Sequence, residues 1–486
     1  MAKDKMQSEA QPILVVDLDG TLCRTDTLHE ALMQILLQHP WQVPGLARKA
    51  LSGDKPGFKA DVASLVRPDP EALVFNEDVL ALIAQAREAG RRVALVSASD
   101  RRVVHAVADH LGLFDEVLGT GDTEDGVNLG GQGKADVLSA RFGEAGFDYV
   151  GDCATDLPVW KAARQAYSVN ASLRLADQAR AAGVSLETLG AASSGVQAAK
   201  PYLKALRPHQ WSKNILIFLP MLAAQEFSGL WAALLAFVLF SLMASSVYIL
   251  NDLVDLPSDR AHPRKCRRPF AAGDIPIAHG IVITAGLILF SLLAAALFLP
   301  GVFFLALLAY FLVTLAYSFA LKRKLIIDII TLAGLYTMRI IAGGAAVEIV
   351  PSPWLLAFSV FLFYALAAIK RQGELVDQDR AGKASSPGRA YLSSDVIPVQ
   401  IMAISAGQAA VLIFALYIYS PTVAELYTRP EFLWLICPVL LFWLSRIAIL
   451  THRGHMDDDP IVFAMKDRIS LMTVALVVMI MLAAEI

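Results

Sequence analysis

The sequence predicts a protein of two parts. The first is a soluble α/β domain with a doubly wound parallel sheet and a helical cap, and the second is an all-α bundle of about nine transmembrane helices. The 486 residues have a mean hydropathy of +0.52 and are 56% hydrophobic, which is too apolar for an ordinary soluble protein. Apolar segments of membrane-spanning length begin only after about Leu206, whereas the preceding residues have the charge density of a soluble domain.

The boundary between the two parts is expected in a segment rich in alanine, serine and glycine. We assign residues 1–190 to the soluble domain, 191–205 to a linker and 206–486 to the membrane domain. The start of the chain lacks the apolar core of a signal peptide, and the four cysteines have no paired spacing. The soluble domain is therefore expected in the cytoplasm with reduced thiols. A net charge of −3 does not favour nucleic acid as a partner.

Short apolar strands alternate with helical stretches in the soluble part. The first strand is followed by residues 17–21 (DLDGT), the second ends at Ser97, and the third runs into residues 151–156 (GDCATD). Strands that alternate with helices predict a parallel sheet. Polar residues at the carboxyl ends of such strands lie where sheets of this kind hold their sites.

These motifs, together with Lys134 between the second and third, resemble the haloacid dehalogenase (HAD) phosphatase superfamily over roughly residues 11–175. The resemblance implies that Asp17 attacks phosphorus to form an aspartyl-phosphate, and that Asp19 protonates the leaving oxygen and later activates water. Ser97 and Lys134 would hold the phosphoryl oxygens. The helical stretch at about 24–88 would be a cap over the site. The alternative, a degenerate sensor domain, is disfavoured because every motif residue is present.

The same resemblance implies a Mg²⁺ site. Its ligands would be the Asp17 carboxylate, the backbone carbonyl of Asp19 and the Asp152 carboxylate. Asp156 would be a further ligand or a support for the others.

Apolar runs in the second part predict the membrane-spanning helices. Lysine and arginine cluster in the loops on one side only, so that side is predicted to be cytoplasmic, and the protein is expected in the cell (inner) membrane as a multi-pass protein. The nine predicted spans are at about 207–224, 229–250, 278–298, 301–321, 326–347, 353–371, 397–420, 431–450 and 467–486.

Residues 248–273 combine carboxylates and basic residues at the end of an apolar run. Asn251, Asp255 and Asp259 are spaced by four. Asp252 lies three residues before Asp255, so on a helix these oxygens share one face, although Pro257 should bend the last turn. Mg²⁺ takes oxygen ligands and commonly bridges to substrate phosphates. We therefore predict Asn251, Asp252 and Asp255 as metal ligands, with Asp252 and Asp255 essential for catalysis.

Basic side chains follow these carboxylates directly and suit the recognition of phosphate groups. The positive-inside rule alone would explain the cations of such a loop but not the aspartates. The candidate substrate ligands of this segment are Asp259, Arg260, His262, Lys265, Arg267 and Arg268. Further candidates from other segments on the predicted cytoplasmic side are Lys213, Lys370, Arg371, Glu374, Asp458 and Asp467.

The pattern NDxxDxxxD after the second predicted span resembles the UbiA superfamily of intramembrane prenyltransferases. The stretches LRPHQWSKN, IKRQGEL and DDPIVFAMKDR narrow the resemblance to the branch of decaprenyl-phosphate phosphoribosyltransferases, over about residues 200–486. Relatives that prenylate aromatic acceptors usually have a second aspartate-rich motif after the sixth span. This sequence has Lys370, Arg371 and Glu374 there, which favours a sugar-phosphate substrate.

The resemblance implies that a polyprenyl phosphate attacks phosphoribosyl pyrophosphate (PRPP) and releases pyrophosphate, with Mg²⁺ on the departing group. Asp259, Glu374, Asp458 or Asp467 would bind ribose hydroxyls or a second Mg²⁺. The HAD domain would then remove the 5-phosphate and give polyprenyl-phosphoryl ribose for cell-envelope glycan (arabinose) synthesis. Membrane lipids are expected partners, and a homo-oligomer is possible.

Two alternatives stay open. One is a UbiA prenyltransferase for an aromatic acceptor, fused to an unrelated HAD phosphatase. The other is a transporter or a membrane-anchored phosphatase, although an anchor needs no dense Asp/Arg segment.

Overall fold

A computed structural model describes residues 11–123, 127–169, 172–190, 196–382, 390–456 and 459–485. Contacts divide the chain into a first unit, Met1–Ala205 with Ile249–Ile283, and a second unit, Leu206–Tyr248 with Thr284–Ile486. The strands are β1 (Ile13–Val16), β2 (Val93–Asp100), β3 (Glu116–Thr120), β4 (Phe147–Gly151), β5 (Gln165–Val169) and β6 (Leu186–Leu189).

Helices account for most of the remaining structure. They are α1 (Thr27–Gln38), α2 (Val43–Leu51), α3 (Lys55–Leu65), α4 (Glu77–Glu88), α5 (Arg101–Leu111), α6 (Gln132–Phe142), α7 (Leu157–Ala162), α8 (Leu173–Ala181), α9 (Val196–Leu206), α10 (Leu219–Ala223), α11 (Leu230–Val254), α12 (Leu256–Arg260), α13 (Ile277–Phe298), α14 (Gly301–Phe319), α15 (Ile327–Val347), α16 (Pro353–Arg380), α17 (Val396–Ile418), α18 (Pro421–Leu426), α19 (Ile436–His452), α20 (Pro460–Lys466) and α21 (Arg468–Glu485).

The six strands form one parallel sheet in the order β3-β2-β1-β4-β5-β6. The chain winds outward from β1 to β3 and then in the opposite direction from β4 to β6, which confirms the predicted doubly wound sheet. Val16 at the end of β1 lies beside Leu95 of β2 and Val150 of β4. The carboxyl ends of these central strands therefore meet at the point where the winding direction changes, the usual location of a site in such folds.

The predicted helical insertion forms a cap that is smaller than expected. Helices α1, α2 and α3 share a small apolar core of their own, formed by Ala31, Ile35, Leu46, Val62 and Val66. Helix α4 instead packs Val79 and Ile83 into the core beneath the sheet. The cap therefore ends before α4, because the apolar face of that helix is buried against the strands.

Most of the predicted linker is helical. Helix α9 covers 196–206, and residues 191–195 lie outside the described part of the chain.

Among the described residues, eight helices are long and apolar enough to cross a membrane. The prediction of a span at 207–224 is wrong. That stretch is a 3₁₀ helix, Pro208–Phe218, followed by the short α10. Pro220 lies in the first turn of α10, where a residue without an amide donor starts a helix more readily than it continues one.

One span is longer than predicted. The run predicted to end at 371 continues as α16 to Arg380. Lys370, Arg371 and Glu374 therefore lie on a continuous helix and have fixed positions around its axis.

Candidate active sites

Asp17 follows β1 directly and forms a buried ion pair. Its Oδ1 lies 2.9 Å from Lys134 Nζ and accepts the Leu18 amide at 2.8 Å. Asp17 is only 8% exposed, and this burial raises the pKa of its carboxyl, while the Lys134 ammonium opposes the rise. The structure thus places the predicted nucleophile and the predicted phosphate-binding lysine in direct contact.

Asp19 is held by two donors that the sequence interpretation did not include. The Thr27 amide donates to Oδ1 at 2.7 Å, and the Ser99 hydroxyl donates to Oδ2 at 2.5 Å. Burial, with the nearby Asp26 carboxylate, raises the pKa of Asp19 to about 6. A carboxyl with a pKa in this range can give and take a proton near neutral pH, as an acid–base catalyst must.

The position of Ser99 at the site could have been predicted from its spacing relative to Ser97 on β2. Ser97 is buried on β2, which continues to Asp100 and does not end at Ser97 as predicted. The Ser97 hydroxyl accepts a hydrogen bond from the Ser99 amide at 3.2 Å. Residues two apart on a strand point to the same face. Ser99 could therefore have been predicted to join Ser97 at the site.

Asp156 shapes the loop that follows β4. Its Oδ1 accepts the Tyr149 hydroxyl at 2.8 Å, and its Oδ2 accepts the amides of Asp152 and Cys153 at 3.2 and 3.3 Å. Lys134 also donates to the Tyr149 hydroxyl at 2.8 Å. These bonds favour the second of the two predicted roles of Asp156, a support for the ligands.

The loop after β4 has the donors and charge that a divalent cation needs. Asp152 and Asp156 oxygens and the Cys153 sulfur lie within 4.8 Å of one another. Burial and the neighbouring Asp17 carboxylate raise the pKa of Asp152 to about 7. A Cβ on Gly20, which has a φ of +74°, would lie 2.3 Å from Asp152 Oδ2, so the DLDGT turn closes tightly on this carboxylate. Buried carboxylates of raised pKa, with oxygen donors, fit Mg²⁺.

Lys59 of the cap also reaches this region. Its ammonium donates to the Ala98 carbonyl at 2.6 Å and to Asn128 Oδ1 at 3.2 Å. Burial lowers the pKa of Lys59, and the carboxylates of Asp19 and Asp26 oppose that effect. Lys59 is not among the site residues predicted from the sequence.

The aspartates of residues 251–259, here called the aspartate segment, are divided between two helices. Helix α11 ends at Val254, and Asp255 precedes α12, whose first turn contains Pro257. Asp252 and Asp259 are buried and both accept Arg268 Nη1, at 3.1 and 2.6 Å. The positive charge of Arg268 therefore already offsets part of the negative charge of these two carboxylates. A Mg²⁺ ion between Asp252 and Asp259 would require Arg268 to move.

The basic residues after the aspartate segment have different surroundings. The side chain of Arg260 is only 7% exposed and is bonded to Glu30 of α1, so its guanidinium is occupied inside the first unit. The His262 Nδ1 accepts the backbone amides of residues 264 and 265. The side chains of Lys265 and Arg267 are exposed.

In the second unit, two lysines converge on Asp459. Lys213 Nζ and Lys370 Nζ donate to Asp459 Oδ2 at 2.9 and 3.1 Å, and the Tyr336 hydroxyl donates to the same carboxylate at 3.2 Å. We call these four residues the lysine cluster. Burial raises the pKa of Asp459, but the two ammonium groups outweigh it and hold the pKa below its usual range.

Asp458, the residue predicted from the sequence, lies outside the described residues, whereas the carboxylate of the lysine cluster belongs to Asp459. The sequence around Asp459 does indicate a role for this residue at the start of a helix. Pro460 is favoured at the first position of a helix, which makes the preceding Asp459 an expected N-cap. Asp459 indeed caps α20 by accepting the Ile461 amide.

Three further predicted substrate ligands of the second unit, Arg371, Glu374 and Asp467, also have internal partners. Arg371 is 1% exposed and pairs with Asp328 at 2.7 Å and with Glu374. The Asp328 carboxylate also accepts the Tyr391 hydroxyl at 2.7 Å. The Asp467 carboxylate accepts both terminal nitrogens of Arg446, at 2.7 and 3.1 Å. These contacts are those of structural ion pairs.

An apolar cavity of about 700 Å³ lies in the second unit. Phe358 and Leu362 of α16 line it, and Lys370 follows on the same helix, about 12 Å further along its axis than Leu362. Leu366, between them, lies beside Lys370 in the small recess next to Asp459. One helix therefore connects an apolar chamber to a cationic cluster.

The fold and these sites define an integral membrane protein with an α/β domain of the phosphatase type at its amino terminus. The model of the UbiA prenyltransferase family matches residues 215–477, and that of the haloacid dehalogenase-like hydrolases matches residues 14–161. The chain belongs to the UbiA prenyltransferase family and carries a HAD-like domain.

The chain is also similar to several named proteins. The uncharacterised protein y4nM of Sinorhizobium fredii is 37% identical over 94% of this chain and 88% of its own length. A decaprenyl-phosphate phosphoribosyltransferase of Mycolicibacterium smegmatis is 34% identical over 55% of this chain and 86% of its own length. A solved UbiA homologue from Archaeoglobus fulgidus, bound to DMAPP and Mg²⁺, is 16% identical, with a TM-score of 0.44, over 58% of this chain and 99% of that one.

Proposed function

We propose that the protein transfers 5-phosphoribose from PRPP to a polyprenyl phosphate and then removes the 5-phosphate. The product would be polyprenyl-phosphoryl ribose, a precursor for cell-envelope glycan. The observation that carries the proposal is helix α16, which lines the apolar cavity with Phe358 and Leu362 and contributes Lys370 to the lysine cluster. An apolar chamber with two ammonium groups beyond it suits a lipid with an anionic head group.

In the transfer step, a phosphate oxygen of the lipid attacks the anomeric carbon of PRPP, and the bond from that carbon to pyrophosphate breaks. Lys213 and Lys370 hold the lipid phosphate. Asn251, Asp252 and Asp255 would hold Mg²⁺, which would neutralise the departing pyrophosphate. His262, Lys265 and Arg267 would bind the remaining phosphates, and Arg268 would join them after it leaves Asp252 and Asp259. Arg260 and Arg371 are left out of this step because buried carboxylates already engage them.

In the hydrolysis step, Asp17 attacks the phosphorus of the 5-phosphate and forms an aspartyl-phosphate. Asp19 gives its proton to the departing ribose oxygen. It then takes a proton from a water that attacks the phosphorus of the aspartyl-phosphate, the bond from phosphorus to Asp17 breaks, and inorganic phosphate is released. Lys134 and Ser97 hold the phosphoryl oxygens. Asp17, Asp152 and the backbone carbonyl of Asp19 would hold Mg²⁺, which would draw negative charge from the transferring phosphoryl group.

The proposal includes an orientation. Lysine and arginine residues cluster on one side of the predicted spans, and the positive-inside rule makes that side cytoplasmic. The HAD domain and the substrate-binding segments would share this compartment, where PRPP is available.

The transfer step is tested with purified protein, PRPP and polyprenyl phosphate, with pyrophosphate release as the readout. Asp252→Asn is expected to abolish transfer without unfolding the protein, because it removes a charge and little volume. Asp274→Asn, which changes an exposed carboxylate soon after the aspartate segment, is the matched control and is expected to retain activity. Near-normal Mg-dependent turnover by Asp252→Asn would remove the metal role. Transfer from a prenyl diphosphate to an aromatic acceptor, with no reaction of PRPP, would replace the proposal.

A further inference from the structure

Arg260 makes a buried, bidentate ion pair with Glu30. Its Nη2 and Nη1 donate to the two carboxylate oxygens of Glu30 at 2.7 and 3.0 Å, and the two side chains are only 7% and 6% exposed. Nη1 also donates to the Ala72 carbonyl at 3.0 Å, and Nε donates to the Ala271 carbonyl at 3.2 Å. A paired contact of this kind fixes the orientation as well as the position of both groups. The ion pair connects Arg260, which directly follows the aspartate segment, to α1, the first helix of the cap.

Glu30 lies in the helical turn that positions Asp19. Helix α1 begins at Thr27, whose amide donates to Asp19 Oδ1 at 2.7 Å. Glu30 is three residues further, less than one turn, and its carboxylate also accepts the Thr25 hydroxyl. The hydrogen bond from Thr25 to Glu30 thus spans the first residues of α1. A displacement of Glu30 would therefore displace the Thr27 amide that holds Asp19.

A second contact supports the same attachment. Arg24 Nη1 donates to the Ala272 carbonyl at 3.1 Å. Gly273 has a φ of +73°, and a Cβ there would lie 2.8 Å from the Arg24 Cβ. The chain at residues 271–273 therefore lies directly against the chain that follows the DLDGT motif, and only glycine permits this approach.

We infer that Arg260 is a positioning residue of the phosphatase, which holds Asp19 in place through Glu30 and the Thr27 amide. The inference rests on the phosphatase activity proposed above. Arg260 adjoins Asp259, which shares Arg268 with Asp252. A displacement of the aspartate segment would therefore be transmitted to the support of Asp19 through Arg260 and Glu30.

The test uses two phosphate esters that differ in their need for a general acid. Ribose 5-phosphate loses an alkoxide, which needs the proton from Asp19, whereas p-nitrophenyl phosphate loses a phenolate that is stable without one. In the purified full-length protein, Arg260→Ala is expected to lower kcat/KM for ribose 5-phosphate by roughly 10- to 100-fold, part of the ~10²–10⁴-fold that general acids contribute. The value for p-nitrophenyl phosphate is expected to change little.

Three further variants separate positioning from folding. Glu30→Gln keeps the volume of the side chain and is expected to shift the ratio between the two substrates in the same direction. Arg260→Lys keeps the charge and is expected to recover part of the ribose 5-phosphate activity. Arg264→Ala, which removes an exposed arginine of the same segment, is expected to leave the ratio unchanged.

The outcomes distinguish this inference from the proposed function. An equal loss for both substrates in Arg260→Ala and Glu30→Gln, or no loss in either variant, overturns the positioning role and leaves the phosphatase assignment intact. Failure of the wild-type protein to hydrolyse either ester overturns the phosphatase assignment and the inference with it. Asp17→Asn is expected to abolish both hydrolyses, which shows that the measured activity belongs to this site.

Discussion

The Asp459 carboxylate lies between two lysines, where an anion from a substrate would also be stabilised. Lys213 and Lys370 each donate to the same oxygen, and the Tyr336 hydroxyl adds a third donor. The carboxylate therefore keeps the two ammonium groups close together despite their mutual repulsion. A lipid phosphate would replace or share these donors, since a phosphate oxygen accepts the same charge-assisted bonds.

At the scale of single residues, we predict that Lys370→Met weakens the productive binding of polyprenyl phosphate. Methionine keeps the length of the side chain but removes its charge. The loss of one charge-assisted hydrogen bond, worth about 1.5–3 kcal/mol, corresponds to roughly a 10- to 100-fold lower kcat/KM for the lipid. Steady-state kinetics with varied lipid at saturating PRPP measures this. Lys324→Met, at an exposed lysine, is the control. An unchanged kcat/KM in Lys370→Met would exclude Lys370 from the lipid site.

A local pattern indicates some of the contacts between candidate site residues. Asp17, directly after β1, lies in contact with Lys134 of α6, and Ser97 lies on the neighbouring strand β2. The partner of Arg260 was not predictable, because Glu30 is 230 residues away in sequence and no local pattern links the two. The sequence shows which residues are charged, whereas only the tertiary structure shows which charges neutralise each other.

At the scale of elements, α16 shows how a longer helix changes the interpretation of its residues. Because the helix continues to Arg380, Arg371 is fixed toward the interior of the second unit and pairs with Asp328 of α15. Lys370, the adjacent residue on the helix, points toward Asp459. Neighbouring positions on a helix are about 100° apart, so two consecutive cations have a structural and a proposed substrate-binding role, respectively.

We predict that Arg371→Ala destabilises the protein by about 3–5 kcal/mol, the usual cost of leaving a buried charge without its partner. The free energy of unfolding in detergent micelles measures this. Arg323→Ala, at an exposed arginine, is expected to change stability by less than about 0.5 kcal/mol. The double variant Arg371→Ala/Asp328→Asn is expected to recover part of the loss. Equal stability of Arg371→Ala and the wild-type protein would show that Asp328 does not depend on Arg371.

Element boundaries were harder to predict than element types. The stretch at 207–224 is apolar enough to suggest a span, yet its prolines divide it into a 3₁₀ helix and a short α-helix. The cap was predicted to reach residue 88, but the apolar face of α4 packs against the sheet. Hydropathy measures how apolar a segment is and does not specify which surface buries it.

At the scale of the whole molecule, sequence order and compact units do not coincide. Residues 249–283 comprise the end of α11, the start of α13 and the chain between them, and they group with the HAD domain in the first unit. Arg260 and Arg24 supply contacts that join this segment to the cap and to the DLDGT motif. Within the first unit, Arg260 and residues 271–273 thus contact the HAD domain directly.

The most direct test of the account measures the lipid products of wild-type protein and Asp17→Asn by mass spectrometry, after incubation with PRPP, polyprenyl phosphate and Mg²⁺. The amide keeps the shape of Asp17 but is far too poor a nucleophile for phosphorus. The wild-type protein is expected to form polyprenyl-phosphoryl ribose. Asp17→Asn is expected to release pyrophosphate at the wild-type rate while the 5-phosphorylated lipid accumulates. Formation of the dephosphorylated lipid by Asp17→Asn, or retention of the 5-phosphate by the wild-type protein, would contradict the account.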